Sequence, residues 1–247
     1  MRTTHLTALF ALTIAASNAL ALETITLRSG WISNAPGIPS QIEDDITVLA
    51  GPGGTALSAT AFTPAQFAAA QSGPFARVIT PVSGPWIATL PADPLARWIN
   101  PSFFATGPFF LGTPASALYA VPFNVTTTGI TSATLTLHWA CDDTLGGLLA
   151  GAGDPNQMGV YINGVPVPIA GGSFSSQSSV FNVNVTGLVN TGANTMYLYQ
   201  RDIGVSVSGL IFSATYNILP APGAAGLLGL GGLCAVRRRR PALPARA

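Results

Sequence analysis

From residue 117 onward the chain alternates apolar and polar positions with a period of two. Tyr119, Val121, Phe123 and Val125 alternate with Ala120, Pro122 and Asn124. This pattern predicts a strand, and Pro122 predicts a sheet edge because proline has no N–H for a neighbour. In the next strand Ala133, Leu135, Leu137, Trp139 and Cys141 share one face, and Thr134, Thr136 and His138 the other. Asn163-Gly164 between Val160-Tyr161-Ile162 and Val165-Pro166-Val167 predicts a hairpin, since a type I′ turn needs positive φ twice. Phe181, Val183 and Val185 alternate with Asn182 and Asn184, and a turn at residues 191–194 leads into a strand over 196–200. A last strand over 210–218 puts Phe212, Ala214 and Tyr216 on one face. Turn-punctuated strands at this spacing predict an all-β, antiparallel β-sandwich.

The first half is less periodic. Residues 22–55 read as irregular, with short strands at 24–27 and 46–49, the second preceded by Glu43-Asp44-Asp45. One helix is predicted over 64–71: Thr63 caps it, Pro64 occupies its first position and Ser72-Gly73-Pro74 stops it. Residues 78–114 are rich in proline and aromatics, among them Trp86, Trp98, Phe103 and Phe104. The expected organisation is an irregular N-terminal part of the sandwich domain over 22–94, with the short helix, and the sandwich core over 95–218.

Both ends read as addresses. Residues 1–21 have the plan of a secretory signal peptide: Arg2 and His5, an apolar core over 6–16, and Ala19-Leu20-Ala21 as the cleavage site. The C-terminal segment 219–247 has three parts: the motif Leu219-Pro220-Ala221-Pro222-Gly223, an apolar run over 224–236 expected to be helical, and Arg237, Arg238, Arg239 and Arg240. The apolar run is short for a spanning helix, which needs roughly 17–25 residues. Arginines behind it act as a cytoplasmic stop by the positive-inside rule. A short greasy tail behind a small-residue motif has the logic of a cleavable sorting signal, with a permanent anchor as the alternative.

Composition narrows the chemistry. Of 247 residues 48% are hydrophobic and 8% charged, against about 25% charged in average domains. There is no lysine, and four of the ten arginines sit in the tail cluster, which leaves residues 22–218 mildly acidic. Nucleic acid is therefore excluded as a partner, because its recognition depends on basic patches. His138 is the only histidine and Cys141 the only cysteine between the two end segments. They are expected on opposite faces of one strand, with Cys141 in the core, so no nucleophile–base pair or transition-metal cluster is expected. Asp142, Asp143 and Asp154 could offer oxygen ligands to Ca²⁺, or cap a strand end. No other cofactor is expected. Trp98, Phe103 and Phe104 could stack on a sugar ring, or pack against the sandwich.

The tail resembles the PEP-CTERM sorting signal of Gram-negative bacteria: Pro220 and Pro222 match the motif prolines, Gly223 follows, and Ala221 replaces the glutamate. The resemblance implies handling by export machinery, transient anchoring in the inner membrane, and an exosortase-type membrane protease as partner. It implies a cell-surface or extracellular location. Ala96 to Ile99, Trp139 to Asp143, Val160 to Gly164 and Thr191 to Thr195 resemble, in that order, segments of galactose-binding-like jelly-roll domains. That resemblance implies a jelly-roll sandwich and a glycan, such as an exopolysaccharide, as a ligand class. The leading expectation is an exported, non-catalytic, structural or adhesive protein. A carbohydrate-binding module comes second and a carboxylate-dependent glycan-active enzyme third.

Overall fold

The computed structural model describes residues 22–51, 57, 61–82, 84–102, 116–147, 158–202 and 207–221. The chain enters through β1 (Glu23–Arg28), the short pair β2 (Trp31–Ile32) and β3 (Ala35–Pro36), and β4 (Ile42–Ala50). Then come α1 (Pro64–Gln71), β5 (Phe75–Val78), β6 (Ile99–Asn100) and β7 (Ser116–Val125). β8 (Ile130–Cys141), β9 (Thr144–Leu145), β10 (Val160–Ile162) and β11 (Val165–Val167) follow. β12 (Ser178–Asn184), β13 (Gly192–Arg201) and β14 (Leu210–Pro220) complete the described part. Twelve strands form one antiparallel sheet in the order β11-β10-β13-β7-β4-β5-β6-β14-β8-β12, with β1 added on β14 and β9 on β13.

The sheet curls on itself at β6, whose two residues join β5 to β14 through Ile99. The layer β10-β13-β7-β4 thereby faces the layer β1-β14-β8-β12 across one core. Alternation decides which side chains meet there. Tyr119, Val121, Phe123 and Val125 from β7 meet Leu135, Leu137 and Trp139 from β8 and Phe212, Ala214 and Tyr216 from β14. Phe123 stacks on Tyr216 at 4.5 Å and 20° between the rings, which joins the layers directly. All-β sandwich architecture with one helix is thus present, and the inward faces of β7, β8 and β14 are those that the period of two predicts.

Two smaller apolar clusters cover outer faces. α1 forms as expected, with a reciprocal capping box between Thr63 and Gln66. It lays Phe67 and Ala70, with Phe62, over Leu118, Ala120, Tyr161, Tyr197 and Tyr199. On the opposite layer the segment 79–98 packs Trp86, Leu90 and Trp98 over Ala140 and Ile211. Asp93 ties that segment down, accepting Arg28 Nε at 2.6 Å and Ser213 Oγ at 2.7 Å.

Three expectations change. β7 is not an edge strand: it lies between β13 and β4. Pro122 is tolerated because the β4 ladder stops at Thr47↔Ala120, so β4 asks no hydrogen bond of residue 122. β12 does not keep its alternation. A bulge between Val180 and Val183 places Asn182 at φ 52° and turns Phe181 outward, 67% exposed. The N-terminal part is also more regular than its sequence suggests. β4 has nine residues and sits inside the sheet, while β1 pairs along its whole length with β14.

Trp98 is 1% exposed and its indole N–H donates to the Ile87 carbonyl at 2.8 Å. Trp98→Ala should lower unfolding free energy by about 3–5 kcal/mol, the usual cost of truncating a buried large aromatic. Urea denaturation checks this, and a loss below about 1 kcal/mol would show that segment 79–98 contributes little to the fold.

Candidate functional site

His138 and Cys141 lie on opposite sides of β8. His138 is on the outer face, its Nδ1 2.8 Å from Ser179 Oγ and its ring edge-on to Phe181 at 5.5 Å. Burial lowers its pKa. Cys141 is fully buried, and burial with the nearby Asp142 and Asp143 raises its thiol far above the ordinary range. A thiol held protonated in an apolar core is a packing group.

The carboxylates gather at one end of the sandwich, where β8 ends, β13 ends and β14 begins. Asp142, Asp143 and Asp202 each place a carboxylate oxygen within 4.8 Å of the others. Asp142 N donates to the Gly209 carbonyl at 2.9 Å, and its own carbonyl accepts Gln200 Nε2 at 3.1 Å. Asp143 takes φ 57°, which lets the chain turn at the strand end. Burial, and then Asp143 and Asp202, raise the Asp142 pKa to about 8. Three crowded carboxylates can share protons or surround a hard cation such as Ca²⁺. Asp202 is the member that sequence reading missed, since no spacing motif links residues sixty apart. Asp154, the expected third ligand, lies outside the described residues.

Glu43 is the second perturbed carboxylate. It is 2% exposed, accepts the Gly30 N–H, and its Oε2 has no hydrogen-bond partner. Burial, with Asp44 and Asp45 beside it, raises its pKa to about 8.

Trp98 offers no face to a ligand. Its ring lies 4.3 Å from Trp86 and packs with it over Ala140 and Ile211 on the outer face of β8 and β14. Of the two roles its sequence position allows, this burial matches packing against the sandwich. Phe103 and Phe104 lie outside the described residues, as do Ala19, Ala21, Pro222, Gly223 and Arg237 to Arg240. Leu219 and Pro220 close β14, with both carbonyls accepting Thr131 Oγ1, and Ala221 N donates to the Gly129 carbonyl at 2.6 Å. Among the described residues no helix is long and apolar enough to cross a membrane.

A built concavity lies elsewhere, on the outer face of β4, β7 and β13. α1 covers only the upper half of that face, and the β4 ladder ends at Thr47, so an open groove of about 700 Å³ remains beside the helix end. Ala120, Pro122, Asn124, Ala193 and Thr195 form its floor, and Asp45, Gln71 and Asn163 its rim. Its register follows from Ala193↔Asn124 and Thr195↔Pro122. Gln71, the last helical residue, reaches the floor through Nε2, which donates to Thr195 Oγ1 at 3.1 Å and Tyr197 Oη at 2.5 Å. Among the described residues, one carboxylate and no cation line the groove. The sequence marks Asn124 as outward-facing, but the juxtaposition of four separate elements has no sequence signature.

No protein-family model and no curated protein matches this chain.

The two raised carboxylates set the pH response. Both bind protons more tightly folded than unfolded, so their contribution is intact below about pH 4 and erodes as pH rises toward about 8. At about 1.4 kcal/mol per pKa unit, each costs on the order of a few kcal/mol by pH 8. In chelator, the urea midpoint should fall between pH 5 and 8, and Glu43→Gln and Asp142→Asn should each flatten part of that fall. A wild-type midpoint that rises over this range would contradict the assignment. Recovery at pH 8 in millimolar calcium, absent in Asp142→Asn, would identify the Asp142, Asp143 and Asp202 cluster as the cation ligand.

Proposed function

We propose that the chain is an exported, non-catalytic β-sandwich protein of the cell surface or extracellular matrix, structural or adhesive in role and sorted by its C-terminal signal. Its finer fold is read as a galactose-binding-like jelly roll. The signal-peptide plan of residues 1–21 and the three-part tail support the route. They imply export machinery and an exosortase-type protease as partners, with transient residence in the inner membrane.

The groove beside Gln71 carries the adhesive part of the reading. It is open, nearly uncharged and rich in amide and hydroxyl groups, a surface for holding a polymer rather than transforming one. The thiol of Cys141 and the imidazole of His138 do not meet there.

Expression in a Gram-negative host with an exosortase, followed by fractionation and mass spectrometry, tests the proposal. The expected product begins at Leu22, lacks Arg237–Arg240 and is retained in the surface or matrix fraction. An exported protein with an intact arginine cluster would overturn the sorting step. Recovery wholly in the free medium would overturn the adhesive role.

A further inference from the structure

We infer that the turn between β7 and β8 is a latch on the C-terminal motif: by holding Leu219, Pro220 and Ala221 in the sheet, it sets the rate at which the sorting protease removes the tail. The inference rests on the sorting reading above and adds a control that the folded domain exerts on it.

The start of the motif is part of the last strand. Leu219 pairs with Ser132 and, after a register shift, Pro220 pairs with Ile130, so β14 runs two residues into the motif. Pro220 has no N–H to give the ladder, and a side chain supplies a bond instead. Thr131 Oγ1 lies 3.2 Å from the Leu219 carbonyl and 3.1 Å from the Pro220 carbonyl, sharing its proton between them. The Ala221 N–H then donates to the Gly129 carbonyl at 2.6 Å. Three consecutive residues of the motif are thereby bonded to residues 129–132.

The turn can hold the motif because it is itself pinned from both layers. Glu23, the first residue of β1, accepts Thr126 N and Thr126 Oγ1 at 2.9 Å and Thr127 N at 2.7 Å. Thr191, just ahead of β13, donates its hydroxyl to the Thr127 carbonyl at 2.6 Å. Gly129 takes φ 62°, a conformation glycine adopts freely, as the turn closes onto Ala221. Bonds to a carboxylate are the stronger kind, so the turn stays in place while the end of β14 opens and closes against it.

A protease takes up its substrate as an extended stretch, through the same backbone N–H and C=O groups that a sheet uses. At Leu219, Pro220 and Ala221 those groups are engaged, so the motif becomes a substrate only when the end of β14 frays. Such opening is local and leaves the core folded. Where it is fast compared with cleavage, the rate of cleavage follows the open population. One hydrogen bond shifts that population by roughly two- to tenfold. Distance is not the control: Glu23 pairs with Ile218, so both ends of the described chain leave the domain on one side. The apolar run begins at residue 224, directly after the motif. The tail therefore brings the motif to the membrane by itself, and release from the sheet is the step left for the fold to set.

The test is a pulse-chase of the full chain in a Gram-negative host with an exosortase, following loss of the tail by mass. Thr131→Val keeps the side-chain shape and removes the shared hydroxyl, and it should lose the tail about threefold faster or more. Thr131 is exposed, so the thermal midpoint should stay within a few degrees of wild type. Thr215→Val, in the middle of β14, should be processed as wild type. A cysteine pair supplies the opposite arm. A Cβ placed on Gly129 would lie 3.5 Å from the Ala221 Cβ, within the roughly 3.5–4.5 Å spacing of disulfides. In a Cys234→Ala background, Gly129→Cys with Ala221→Cys should keep its tail when oxidised and lose it once dithiothreitol is added. Processing of Thr131→Val at the wild-type rate, or of the oxidised pair at the rate of the reduced one, would overturn the latch and leave the sorting reading standing. A tail retained by every protein, wild type and reduced pair included, would overturn the sorting reading and the latch with it.

Discussion

The whole architecture depends on two β-layers closing over one set of apolar side chains. Phe123 from β7 stacked on Tyr216 from β14 is the contact that joins them. Around it the inward positions of β4, β7, β8, β10, β13 and β14 are almost uniformly buried. Because side chains alternate along a strand, committing one face to this core fixes what the other face must do. Some outward positions then become a second buried surface under α1 or under segment 79–98. Others stay open, and those are where ligands can be held.

The outer faces are covered unevenly. α1 is eight residues long and reaches only the upper half of the β10-β13-β7-β4 face. The β4 ladder ends where Pro122 offers β4 no N–H, so the lower half is neither capped by the helix nor filled by the next strand. The groove is the space those two endings leave. Its rim is stiffened by asparagine side chains bonded to each other and to backbone.

The acidic end of the sandwich behaves differently. Asp142, Asp143 and Asp202 meet because β9, which directly follows Asp143, pairs Thr144 with Arg201 at the end of β13. Burial and the neighbouring Asp143 and Asp202 make ionising Asp142 costly to the fold, a cost that a bound proton or cation relieves. Glu43, enclosed with one unpaired oxygen, adds a similar cost at a second place. Such terms are affordable only in a fold with a large apolar core, and this chain's low charge density keeps them few.

Local sequence pattern by itself determined β7, β8, β10, β11, β13 and β14, the inward faces of β7, β8 and β14, the Asn163-Gly164 hairpin and the capped helix, because these depend on neighbours within a few residues. It also placed Cys141 inward and His138 outward. The tertiary structure alone decided that β7 is internal and that β12 carries a bulge. It alone decided that Trp98 is covered, that Asp202 joins Asp142 and Asp143, and that Asp45, Gln71, Asn124 and Thr195 share one groove. Each of these outcomes depends on which strand lies beside which and where each ladder stops. That is settled by burial summed over the whole sheet, not by any local preference of the residues concerned.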